Sequence, residues 1–187
     1  MSSPDSAQRS RPVKAGVVAA MLAVGFLGAA CTVRPLYSDA VAPGATAPMA
    51  AQLASVSVKP VETRQAQEVR NHLIFLLGRG QGNPDAGAYT LKLAVTSYST
   101  AAAVVQVSTT TQSPTSSLLT MSASYTLTDS VTGAVIATGR RQVSSAYDVP
   151  TQQFAALRSQ RDAENRAARE LAELLHLAVA QDLSRGG

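Results

Sequence analysis

Leu119, Met121, Ala123, Tyr125 and Leu127 alternate without interruption with Thr120, Ser122, Ser124, Thr126 and Thr128. A period of two over these ten residues predicts a strand, Leu119 to Asp129, with one face against a core and a hydroxyl-rich face left open, the pattern of an antiparallel sheet. The same period runs through Tyr89, Leu91, Leu93 and Val95, and a second β-rich run covers Val104 to Thr111. Asp129-Ser130-Val131-Thr132-Gly133 reads as a compact hairpin link, after which Ala134 to Val143 pairs back. A short strand, Leu53 to Lys59, ends at Pro60.

Two segments change period. Ala66, Val69, Leu73 and Leu76 or Leu77 recur at spacings of three and four, a helical stripe that Thr63 is placed to cap. Gly78-Arg79-Gly80-Gln81-Gly82 ends it, with glycine expected to take the left-handed position, and Asn83-Pro84 bars continuation. A longer helix is predicted from Gln152 to about Asp182, capped by Thr151. Ala156, Ala163, Ala167, Leu171, Leu174 and Ala178 lie near one stripe, with Leu157 and Leu175 widening it. Its alanines let a sheet approach closely. Arg158/Asp162, Asp162/Arg166, Arg166/Glu170 and Arg169/Glu173 are spaced for ion pairs on the solvent side. The order β-α-β-β-β-β-α predicts an α+β fold, two helices packed on one face of a mainly antiparallel sheet.

Ahead of this domain the pattern is different. Ala15 to Ala30 is free of charge and follows Arg9, Arg11 and Lys14. As a helix of about 24 Å it falls short of a hydrocarbon core of about 30 Å. Basic, apolar and small-residue regions in that order describe an export signal. It ends at Leu27-Gly28-Ala29-Ala30-Cys31, and Cys31 is the sole cysteine. This segment resembles the lipobox of bacterial lipoproteins, with Leu27 one place further from the cysteine than usual. The resemblance implies cleavage before Cys31, a diacylglyceryl group on its sulfur and acylation of the new amino end. Two or more chains anchor stably where one does not. Thr32, rather than Asp, follows the cysteine, which by resemblance to enteric sorting implies the outer membrane. An ordinary export signal with a chance cysteine is the alternative. The expected organisation is therefore residues 1–30 as cleaved signal, 31–51 as lipidated N-terminus and Ala/Pro/Gly-rich tether, and 52–187 as one domain. Within the tether, Val33-Arg34-Pro35-Leu36-Tyr37 stands out for its apolar and aromatic content.

Composition narrows the function. Losing Asp5 and three cations with the signal takes the formal charge from +4 to +2, no footprint for nucleic acid. Tryptophan is absent and aromatics are scarce, which disfavours base-stacking platforms. A single cysteine allows no disulfide within the chain.

No motif for catalysis or for a cofactor emerges. His72 and His176 sit one on each predicted helix with no Asp, Glu or Cys at ligand spacing. The glycines of 78–82 follow a helix and precede a proline, whereas phosphate loops follow a strand and open a helix. No Gly-x-Ser-x-Gly surrounds any serine. Asp129 and Asp148 flank strands and read as turn or cap residues. One exposed feature asks for a ligand: Arg140 and Arg141, with Lys92 and Arg79, are candidates for a basic stripe suited to phosphate or carboxylate. Ordinary solubilising charge is the competing reading.

Several of these residues together resemble one family. Val33-Arg34-Pro35-Leu36-Tyr37 after a lipoprotein cysteine, the strand–helix stretch Val56 to Leu77, Tyr125-x-Leu127 with Thr132-Gly133 and Gly139-Arg140, and Tyr147, Phe154-Ala155 and Arg161-Asp162-Ala163-Glu164-Asn165-Arg166-Ala167 leading to Leu171-Ala172 are similar to LptE-like lipopolysaccharide-assembly lipoproteins of the alphaproteobacterial type. The resemblance implies two helices on a sheet and a role without catalysis or cofactor. It also implies partnership with lipopolysaccharide and with the outer-membrane β-barrel LptD, which such proteins plug and help assemble. Val33 to Tyr37 is then expected to lie against the barrel wall. Competing readings are an auxiliary lipoprotein of a phospholipid-transport system, a lipid-anchored envelope hydrolase and a peptidoglycan-binding lipoprotein.

Overall fold

The computed structural model describes residues 49–106 and 112–186, all within one compact unit. Cys31 and Val33 to Tyr37 lie outside these residues. The elements are α1 (Met49–Ala54), β1 (Val56–Val58), α2 (Arg64–Gly78), β2 (Tyr89–Gln106), β3 (Gln112–Asp129), β4 (Val135–Asp148) and α3 (Gln153–Gly186). The sheet runs β1-β2-β3-β4. β1 pairs parallel to β2, and the other two pairings are antiparallel.

The α+β layering matches expectation, and three boundaries differ. The run predicted as a strand from Leu53 is divided: Leu53 is the buried residue of a short helix, and the strand starts at Val56. The two β-rich runs at Tyr89 and Val104 are one strand, because Ser97 to Ala103 stays extended despite its weak apolar pattern; register shifts near Ala101 and Ala103 mark where it bends. β3 starts at Gln112 and crosses Pro114, whose β2 partner Val104 adjoins the register shift at Ala103/Val104, an irregularity where a missing N–H is tolerated.

Helix ends show local chemistry at work. Thr63 accepts a hydrogen bond from the Ala66 N–H, as expected of a cap. At the other end Gly78 is the last helical residue, and Arg79, not a glycine, takes the left-handed conformation (φ 49°). Its N–H and that of Gly80 both reach the Phe75 carbonyl, so hydrogen bonding offsets the steric cost. In α3, the Gln152 carbonyl accepts from Ala156, placing Gln152 rather than Thr151 at the cap position.

The core lies between the helices and one face of the sheet. Leu91, Leu119, Met121, Leu127 and Val143 from the strands meet Val69, Leu73 and Leu77 of α2 and Leu171, Leu175 and Val179 of α3. α3 packs on β3 and β4, and α2 on β1 and β2. Ala163, Ala167, Ala168 and Ala172 are fully buried, and small side chains at these places allow close packing. Arg64 joins the two helices by donating to Glu164 Oε2 (2.9 Å) and Asn165 Oδ1 (2.8 Å). Of the pairs expected along α3, Asp162 with Arg166 forms; Arg166 also donates to Ser145 Oγ and the Ala146 carbonyl, tying α3 to β4. Among the described residues no helix is long and apolar enough to cross a membrane.

Candidate functional site

Because side chains alternate along a strand, the face opposite the helices follows from register. Thr90, Lys92, Ala94, Thr96 and Tyr98 of β2 stand opposite Thr128, Thr126, Ser124, Ser122 and Thr120 of β3. The last four of these oppose Thr138, Arg140, Gln142 and Ser144 of β4. The result is a three-strand slab of hydroxyls. Thr96 Oγ1 meets Ser122 Oγ at 3.1 Å, and Thr120 Oγ1 meets Ser144 Oγ at 3.2 Å. Thr120 and Ser122 are buried beneath their neighbours, whereas Ser124, Thr138, Gln142 and Ser144 are exposed. No helix covers this face among the described residues.

Two of the four candidate cations share it. Lys92 is exposed opposite Thr126. Arg140 is exposed opposite Ser124 and donates to Ser122 Oγ at 3.0 Å. Two strands and two residues separate them, which places their backbones about 12 Å apart. Long side chains can therefore approach one ligand carrying two anionic groups. Arg141, next in sequence, faces the helix side. It is half-buried and donates to the Arg140 carbonyl at 2.8 Å. Arg79 belongs to the α2 end and not to this face.

A different polar site sits within the core. Tyr125 is buried and its hydroxyl donates to Asp182 Oδ2 at 2.6 Å. Burial pushes its pKa up to about 12, helped by the hydrogen bond to Asp182 and that carboxylate's charge, while Arg141 and Arg185 pull the other way. The ring lies over Gly139, the residue opposite it on β4: a Cβ there would come within 2.6 Å of the Tyr125 oxygen. Sequence reading placed Tyr125 on the covered face but did not find this latch. The available signal was a glycine inside a strand.

The remaining candidates separate. Asp129 closes the β3–β4 turn: its Oδ1 accepts from the N–H groups of Val131 and Thr132 and from Thr132 Oγ1. The bonds from Thr132, then that from Val131, hold its carboxyl below the usual range. Asp148 ends β4, some 45 Å away along the strand, so the two carboxylates share no reacting centre. His72 and His176 are half-buried on α2 and α3; burial lowers the His176 pKa. Among the described residues no three His, Cys, Asp or Glu side chains gather as metal ligands.

Residues 53–179, which carry both layers of this fold, match the family described as LptE, lipopolysaccharide-assembly. The chain belongs to this family. A crystal structure of a Caulobacter crescentus CB15 protein, named as a lipoprotein, is similar to this LptE-family chain at 31% identity and a TM-score of 0.58, covering 73% of this chain and 96% of the other. The rare lipoprotein B of Shewanella oneidensis shares the fold at 12% identity and a TM-score of 0.50, covering 70% and 95%. No curated protein matches the chain in sequence.

Proposed function

We propose that this LptE-family protein is a non-catalytic lipoprotein, anchored by acyl groups at Cys31 to the periplasmic side of the outer membrane. There it fits inside an LptD-like β-barrel and assists barrel assembly and lipopolysaccharide transport to the surface. The observation that carries this reading is the uncovered Ser/Thr face on a domain of this family. A sheet face of short hydroxyls gains little from an apolar partner, but it suits a barrel interior, whose inward side chains are polar and wet. Lys92 and Arg140 on that face, with Arg141 at the β4 edge, are the proposed contacts for lipopolysaccharide phosphates and carboxylates.

Affinity purification of the acylated protein from solubilised envelopes tests the reading. An LptD-like barrel is the expected companion. An inner-membrane transport complex would instead identify an auxiliary phospholipid-transport lipoprotein, and recovery with cell wall a peptidoglycan binder. Retained function after alanine replacement of His72, His176 and Asp148 would dispose of a hydrolase using those groups.

A further inference from the structure

The two long helices do not start together. Arg64, the first residue of α2, bonds Glu164 and Asn165 of α3, whereas α3 begins at Gln153. The first three turns of α3, about 16 Å, therefore have no α2 beside them. Within those turns Leu157, Arg158 and Arg161 follow Phe154 at steps that keep all four on one stripe of the helix. The stripe lies opposite buried Ala163. Phe154 is 84% exposed and Leu157 47% exposed, and both arginines are exposed. Exposed Val104 lies at the same end of the domain: it opposes Pro114, next to Thr115, whose carbonyl accepts the Val149 N–H just ahead of α3.

The charge around this stripe is one-sided. No carboxylate lies between Asp148 and Asp162. Asp162 pairs with Arg166, and Glu164 with Arg64. Arg158 and Arg161 thus form no ion pair among the described residues. Val131, exposed at the other end of the domain, sits two places from Asp129, whose carboxyl is held in its charged form.

We propose that the opening turns of α3 dock on a membrane surface bearing anionic headgroups. Phe154 and Leu157 enter beneath the headgroups, and Arg158 and Arg161 meet their phosphates. Aromatic and aliphatic anchors flanked by arginines on a helix lying along the surface are the chemistry of that boundary. Chain length supports a membrane as the occupant. Residues 32–48 span up to about 60 Å, and α3 is about 51 Å long. α1 lies toward the far end of α3, because it leads into Ser55, which binds Tyr89 at the start of β2. An acyl group at Cys31 and the stripe can therefore share one surface. The inference rests on the proposed anchor for this reach alone. The stripe is on the helix side of the sheet, so the hydroxyl face stays free for a barrel. Two points of attachment fix the tilt of the domain, where a tether by itself leaves it free to turn.

Fluorescence quenching in vesicles tests the proposal. Acylation consumes the Cys31 thiol, so in the mature acylated protein Gln153→Cys takes a single environment-sensitive label beside the stripe, and Val131→Cys takes it at the other end. In vesicles of phosphatidylcholine and phosphatidylglycerol with brominated acyl chains, quenching at Gln153 is expected to exceed that at Val131 about threefold. Phe154→Ser with Leu157→Ser, both at exposed positions, is expected to abolish the difference. The unacylated Cys31→Ser chain is expected to bind the same vesicles about tenfold more weakly with that serine pair, and about tenfold more weakly when phosphatidylglycerol is omitted or when Arg158→Gln and Arg161→Gln are combined. This arm reads the stripe whether or not the anchor exists, so the two readings fail separately. Equal quenching at the two labels, quenching that survives the serine pair, or binding indifferent to phosphatidylglycerol would overturn the proposal. So would a label signal that appears without vesicles and rises with protein concentration, which marks a second copy on the stripe.

Discussion

Gly139→Ala tests the packing of the sheet against α3 at its tightest point. The added Cβ would sit 2.6 Å from the Tyr125 oxygen and 2.7 Å from Cε1 and Cζ of its ring. The ring cannot swing aside freely, because its hydroxyl is bound to Asp182 at 2.6 Å and the side chain is buried. Overpacking of this kind costs about 1–3 kcal/mol. At an unstrained site the same substitution would instead add about 0.4–1 kcal/mol by restricting the unfolded chain, so the sign of the effect is diagnostic. A net loss of about 2 kcal/mol in a domain of this size corresponds to a fall in Tm of about 4–8 °C, read by circular dichroism on the soluble, unacylated domain. In a Tyr125→Leu background the clash is gone, and Gly139→Ala is expected to become neutral or stabilising, a coupling of about 2 kcal/mol. An unchanged or raised Tm for Gly139→Ala in the wild-type background would refute the argument.

Other consequences are open to simple tests. Arg64→Ala removes the charge partner of the buried Glu164 carboxylate, leaving it only the Gln160 amide, and is expected to cost about 2 kcal/mol by chemical denaturation, while Arg64→Ala with Glu164→Gln recovers part of it. His176 has a lowered folded pKa, so the unfolded chain binds more protons below its ordinary value of 6.5; stability is full above that pH and falls as pH drops through it. His176→Gln is expected to flatten Tm between pH 7 and pH 5. Tyr125 has the opposite sign: its folded pKa is raised to about 12, so its contribution is present below 10.0 and lost between there and 12, a loss that Tyr125→Phe should lack. Lys92→Ala with Arg140→Ala is expected to weaken lipopolysaccharide binding at least tenfold at low salt, with less effect at high salt, since each charge-assisted contact contributes about 1.5–3 kcal/mol; unchanged binding would remove these residues from the interface.

Period and composition made most of this fold readable. The uninterrupted alternation of Leu119 to Asp129 assigned both faces of β3 correctly, and the stripe of Ala66, Val69 and Leu73 placed α2 on the core. Reading stopped where local pattern and tertiary role part. Ser97 to Ala103 lacks alternating apolar residues, yet β3 holds it extended, so two expected strands are one. Arg79 takes a left-handed cap beside two glycines because the Phe75 carbonyl accepts its N–H, a bond that sequence does not announce. Adjacent Arg140 and Arg141 read as one basic patch, but strand geometry sends them to opposite faces. Lys92 and Arg140, 48 positions apart in sequence, share a face only because β3 lies between their strands.

The central claim is that the hydroxyl face of β2, β3 and β4 is what the partner barrel encloses. A photo-crosslinking residue placed in turn at Ser124 and Thr138 on that face, and at Glu173 on the exposed side of α3, interrogates it in intact cells. Crosslinks to an LptD-like barrel that are strong from Ser124 and Thr138 are the predicted result. Crosslinks from Glu173 alone, or none from the sheet face in cells where the acylated protein is present, would contradict the account.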